Sequence, residues 1–181
     1  NHKYSPVAGL TILKEEIVRT SKLYSGINLQ QENILVSNGG KHAILTTFMS
    51  ILNPGDEVLI PSPYWTTYPE AVKISGGNPI IVDTEFDDDF KVNTDQLDAL
   101  KTSKTKILVW VSPSNPTGVV YTKEEAEKIY NWAFENNVWI LSDELYEHLV
   151  YEGMTSPSPA QYDTELNNTI IVNGVAKAYS M

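Results

Sequence analysis

Two patterns of apolar positions alternate along this chain. Leu10, Leu13, Ile17 and Tyr24 recur every three to four residues or a multiple of that, which places them on one face of a helix that Gly26 can end. Short apolar runs follow at Ile34–Val36, Val58–Ile60, Ile80–Val82, Ile107–Val111, Val138–Leu141 and Ile170–Val172, too short for helices and suited to strands. Between them lie helix-like stretches: Lys41–Leu52 closed by Asn53-Pro54-Gly55, Tyr68–Ser75 closed by Gly76-Gly77, Thr94–Leu100, and Lys123–Glu135. Thr122 and Glu125 at the start of the last stretch have the spacing of a capping box, in which hydroxyl and carboxylate satisfy free amide donors. Strands alternating with helices predict an α/β fold, a mostly parallel sheet flanked by helices on both faces.

The polar residues that follow the strand-like runs change the picture from fold to chemistry. Gly39-Gly40-Lys41 follows the first run, Trp65 the second, Asn115 the fourth, Asp143 the fifth and Lys177 the sixth. Ligands of open α/β sheets bind beyond the carboxyl ends of the strands, so separate loops would bring these residues to one rim. Each has a plainer use on its own: glycines make turns, a tryptophan packs, Asn115 before Pro116 starts a turn, Asp143 caps a helix, and a lysine is solvated. Together they offer amides and a helix start for an anion, a flat aromatic platform, a carboxylate, a phenol at Tyr146 and an amine.

Composition narrows the partners. The chain has 181 residues, enough for one domain with a real core, and its 41% hydrophobic and 20% charged residues set aside the disordered and membrane classes. No apolar run approaches the roughly 18 residues needed to cross a bilayer, and the opening Asn1–Pro6 has no signal-peptide pattern. A net charge of −10 disfavours nucleic acid and anionic lipid, while leaving room for a local phosphate pocket. Zero cysteines leave no disulfide or thiolate metal site; no metal is expected, and a reducing, cytoplasmic setting is. The run Asp87-Asp88-Asp89 reads as a solvated loop.

Three segments carry a specific resemblance: Ser112-Pro113-Ser114-Asn115-Pro116-Thr117-Gly118, Ser142-Asp143-Glu144-Leu145-Tyr146, and Lys177-Ala178-Tyr179-Ser180-Met181. They resemble the fold-type I aminotransferases that use pyridoxal 5'-phosphate (PLP), most closely the aspartate aminotransferase branch, and the resemblance covers essentially the whole chain. It implies the large cofactor-binding domain of that fold and transfer of an amino group between an amino acid, aspartate foremost, and a 2-oxo acid. In its terms Lys177 is the covalent anchor and acid/base, Asp143 partners the pyridine nitrogen, and Tyr146 and Asn115 reach the cofactor's phenolic oxygen. Trp65 covers one ring face, and Gly39, Gly40 and Lys41 belong to the phosphate segment. Lys41, Trp65 and Asn115 also face the substrate, with the Lys41 amine able to reach the far carboxylate of a dicarboxylic acid. Tyr4, within Lys3-Tyr4-Ser5-Pro6, would cross a homodimer interface to the phosphate of the neighbouring subunit. Pro63 and Pro116 are expected to follow cis peptide bonds. One departure is visible: the family often has a serine just before the lysine, where this chain has Val175 and Ala176.

Residues 1–181 are read as part of that large domain, incomplete at both ends, with an N-terminal segment and a C-terminal small domain lying outside. The piece by itself is expected to be inactive and to hold the cofactor weakly. The rival readings are an aminotransferase for prephenate, aromatic or other amino acids, a lyase of the same fold, and a ligand-sensing domain of a transcription regulator.

Overall fold

Five strands form one all-parallel sheet in the order β2-β1-β3-β4-β5 in a computed structural model that describes residues 4–181. The strands are β1 (Glu57–Pro61), β2 (Asn78–Val82), β3 (Thr105–Val111), β4 (Trp139–Asp143) and β5 (Thr169–Val172). The helices are α1 (Thr11–Thr20), α2 (Gly40–Ile51), α3 (Thr67–Ile74), α4 (Thr94–Leu100), α5 (Lys123–Glu135) and the single turn α6 (Val175–Ala178).

The near-continuous apolar runs in the central strands follow from burial on both faces. Val58 and Ile60 of β1, Ile107 and Val109 of β3, and Leu141 of β4 pack against Ile44 and Phe48 of α2 and Tyr68, Ala71 and Val72 of α3. Leu59, Leu108, Trp110 and Ile140 point the other way, into Leu97 of α4 and Ala126, Ile129 and Ala133 of α5. The period of two therefore sorts the same strands between two cores. Each fully buried Leu, Ile or Phe contributes about 1.5–3 kcal/mol relative to exposure. The predicted capping box on α5 is present: Glu125 donates its amide to Thr122 Oγ1 at 3.2 Å, and the Glu125 carboxylate accepts the Thr122 amide at 2.6 Å. A second box, Asn93 with Gln96, starts α4.

One expectation is corrected and another is refined. Ile34–Val36 is extended but joins no sheet; Ile34 is buried, and the Val36 amide donates to Ala8 O at 3.1 Å, so the run packs beside the start of the chain. The first helix forms, and Gly26 ends it in the left-handed region at φ 69°, but a π-type turn over Ser21–Ser25 intervenes. Its apolar face is largely uncovered, with Leu10, Leu13 and Tyr24 exposed and Ile17 half-buried; the edge of the Tyr24 ring meets His148. Asp87–Asp89 is exposed, as its charge predicts.

β1 has β2 on one side and β3 on the other, so the chain's direction of advance across the sheet reverses there. Loops leaving the ends of β1 and β3 consequently diverge, and the crevice they open is where an α/β sheet binds ligands.

Candidate active site

The carboxyl ends of β1, β3, β4 and β5, with the start of α2, converge on one rim. Asp143 is the last residue of β4 and is only 3% exposed. Its Oδ2 accepts the Tyr68 phenol at 2.6 Å and its Oδ1 accepts the Leu145 amide at 3.2 Å. The capping use of this aspartate is thus partly realised, on a turn instead of a helix. Burial raises the Asp143 pKa above the usual carboxylate range, and the two hydrogen bonds pull it back. Burial, followed by the negative charge of Asp143, raises the Tyr68 phenol, so Tyr68 remains a donor. A buried carboxylate of this kind is completed by a cation, and a protonated ring nitrogen is a cation of the right size and hydrogen-bonding type.

Beyond β3 the chain is shaped by cis bonds at Ser112-Pro113 and Asn115-Pro116 and by Gly118 at φ 75°. The Ser114 amide donates to Val119 O at 2.9 Å and the Gly118 amide to Ser114 O at 2.8 Å, closing the loop and presenting Asn115. Asn115 Nδ2 lies 3.5 Å from Tyr146 Oη. The loop after β1 carries a further cis bond at Ser62-Pro63 and sets Trp65 edge-on to Tyr68, ring centroids 5.7 Å apart. The cis bonds expected before Pro63 and Pro116 are both present, and the one before Pro113 was not foreseen.

Lys177 sits in α6, with Nζ 5.9 Å from the centre of the Tyr146 ring. Lys41, in the first turn of α2, places Nζ 5.3 Å from the centre of the Trp65 ring. Gly39 precedes that helix at φ 84° with open space where a Cβ would stand, leaving the backbone accessible to an anion. Gly40 and Gly174 are needed for contact: a Cβ on either would come within 2.8 Å and 3.0 Å of the Leu145 side chain, respectively. Leu145 thereby holds the glycine turn, the β4 loop and the lysine loop together.

Of the residues singled out in the sequence, Lys41 meets Trp65, and Asn115 and Lys177 meet Tyr146. Asp143 lies on the same rim and connects to Trp65 through Tyr68. Tyr4 is fully exposed and joins none of them; Lys3 lies outside the described residues. Tyr68 and Leu145 were missed. A tyrosine on the buried face of the helix behind a strand end needs a partner for its hydroxyl, and that was the available signal. Among the described residues no cluster of three acidic or histidine side chains could hold a metal, and no helix is long and apolar enough to cross a membrane. An acceptor for a ring nitrogen, donors for a ring oxygen, an indole, an accessible helix start and an amine fit a phosphorylated pyridine aldehyde.

Comparison with known proteins places this arrangement. The model of the family "Aminotransferase class I and II" matches residues 1–181. The aspartate aminotransferase of Streptomyces avermitilis is 48% identical over 181 residues, 99% of this chain and 44% of that protein. The crystal structure of an aromatic aminotransferase from Pyrococcus horikoshii superposes with a TM-score of 0.95 at 38% identity, covering 99% of this chain and 48% of that one. The aspartate aminotransferase of Thermus thermophilus with maleate gives 0.94 at 41% identity, covering 99% and 46%. The chain spans less than half the length of these relatives.

Proposed function

Since the chain belongs to the class I and II aminotransferases, we propose that the whole protein transfers an amino group between an amino acid, aspartate foremost, and a 2-oxo acid, with PLP as cofactor. The observation that carries this reading is the convergence of Asp143, Asn115, Tyr146 and Lys177 on the ends of neighbouring strands. When bound, the cofactor supplies an electron sink for the pair released at the substrate α-carbon.

The roles of this chain's residues follow from their placement. Asp143 keeps the ring nitrogen protonated, and Tyr68 orients the Asp143 carboxylate. Tyr146 and Asn115 hold the ring oxygen, and Asn115 also orients the substrate carboxylate. Trp65 covers one ring face. The amides at Gly39, Gly40 and Lys41 hold phosphate at the start of α2. Lys177 would be the covalent anchor, and its freed amine would be the acid/base that moves a proton between the substrate α-carbon and the cofactor's aldehyde carbon.

A dicarboxylic substrate is supported by Lys41, whose amine stands beside Trp65 at the rim, and by the Thermus relative solved with maleate, itself a dicarboxylate. The second reading, an aromatic or prephenate aminotransferase, is favoured by the likeness to the Pyrococcus structure. A homodimer, with Tyr4 reaching the neighbouring phosphate, is part of the same proposal and is supported by the exposed apolar surface from Tyr4 to Tyr24. So is a cytoplasmic setting, as expected from the sequence.

Full-length protein given PLP is expected to show a visible absorption band that borohydride abolishes, with the label on a Lys177 peptide. Label on another lysine overturns the assignment. Aspartate should convert the cofactor to its amine form faster than tyrosine does; the reverse order favours the aromatic reading.

A further inference from the structure

α6 is one turn long and has no buried residue, so it cannot hold Lys177 in place by itself. Both ends of the lysine segment are instead tied to two consecutive residues of the β4 loop. At its start, Asn173 Nδ2 donates to Glu147 Oε1 at 2.6 Å, while Asn173 Oδ1 accepts the Gly174 amide at 2.7 Å. At its end, Tyr179 Oη lies 3.3 Å from His148 Nε2, with the two rings edge to face at 5.8 Å. The pair is anchored in turn to the segment after α1: Ser25 Oγ donates to Glu147 Oε2 at 3.3 Å, and Tyr24 meets the His148 ring at 4.9 Å. Glu147 and His148 also lie 3.5 Å apart, carboxylate to ring nitrogen. Neither hydrogen-bonds Asp143 or Asn115, and the roles given above do not use them.

We infer that Glu147 and His148 are positioning residues that clamp both ends of the lysine segment and thereby fix where the Lys177 amine stands relative to Tyr146 and the cofactor. The inference rests on Lys177 being the covalent anchor. Anchoring joins Lys177 Nζ to the cofactor aldehyde carbon with loss of one water. It needs the amine held at one place, and a displacement of about 1 Å costs up to roughly a hundredfold in rate. Glu147 is the stronger half, because its carboxyl oxygen stands 2.6 Å from its donor whereas the Tyr179–His148 contact spans 3.3 Å.

The test uses full-length protein freed of cofactor, with Glu147→Ala, Glu147→Gln and His148→Ala. Two quantities are read: the rate at which PLP develops its visible band, and the affinity for 4'-deoxypyridoxine 5'-phosphate, which fills the same pocket but has no aldehyde. Glu147→Ala should slow band formation roughly tenfold to a hundredfold while leaving the analogue's affinity unchanged. Glu147→Gln, which keeps an oxygen for Asn173, should restore most of the rate, and His148→Ala should fall between. Unchanged rates in both alanine variants overturn the inference, and so does parallel loss of analogue binding, which would mark a collapsed pocket. Borohydride label away from Lys177 in the unsubstituted protein would instead overturn the functional reading beneath it.

Discussion

At the scale of single residues, the pair Tyr68–Asp143 sets the electronics of the rim. Asp143→Asn keeps the shape and removes the charge, so turnover of the full-length enzyme should fall by about a hundredfold or more while PLP affinity changes far less. Steady-state kinetics beside a PLP titration check this, and near-normal turnover would refute the role. Tyr68→Phe removes a donor to a buried carboxylate, an interaction of about 1.5–3 kcal/mol, and should lower folding stability by about that much in denaturant titration while PLP affinity changes less. Glu144, beside Asp143, is 4% exposed and accepts Ser142 Oγ at 2.7 Å and Ser158 Oγ on the same oxygen. Burial pushes its carboxyl from the ordinary 4.5 up to about 7, against the pull of both serines. The folded state thus holds this proton more tightly than the unfolded one, so the contribution is full below about pH 4.5 and is lost as pH rises through 7. Glu144→Gln keeps an acceptor for the serines and cannot ionise. Its stability relative to the unsubstituted protein should improve by about 3 kcal/mol between pH 4 and pH 8, measured as denaturant midpoints; a pH-independent difference would count against it.

Among the elements, the helices differ in what holds them. α5 has a capping box and buries Ala126, Ile129, Trp132 and Ala133. Thr122→Ala should therefore cost about 1 kcal/mol in chemical denaturation and leave PLP affinity unchanged, since α5 packs on the face of the sheet away from α2 and α3. A large loss of affinity would mean that the two faces are coupled. α2 starts on Gly39 with no side-chain cap, which leaves its first amides available to an anion. α6 takes its place from neighbouring loops.

On the scale of the whole molecule, the uncovered apolar residues of the first 24 positions matter most. Val7, Leu10, Ile12 and Leu23 are exposed on a chain whose net charge of −10 otherwise favours dispersal. If this surface is part of a subunit interface, Ile12→Glu with Leu23→Glu should shift full-length protein from dimer toward monomer in sedimentation at micromolar concentration. An unchanged dimer would place the interface elsewhere.

The sequence by itself determined the local chemistry and the fold class. Periodicity set the strands β1 to β5 near their observed ends, turn residues set the helix limits, and Thr122 with Glu125 announced the start of α5. The spacing of Asn115, Asp143, Tyr146 and Lys177 behind their strands was enough to foresee a common rim, because parallel strands all end on the same side. Only the tertiary structure decided the rest. Ile34–Val36 looks like a strand in isolation, and it fails to become one because its backbone finds Ala8 instead of a neighbouring strand. The face of α1 is apolar in sequence, yet whether it is covered depends on what packs over it. Tyr68 with Asp143, Leu145 with Gly40 and Gly174, and Glu147 with Asn173 join residues far apart in the chain, and no period or local propensity encodes such pairs. They exist because the crossovers between strands bring those loops within a few ångströms of one another.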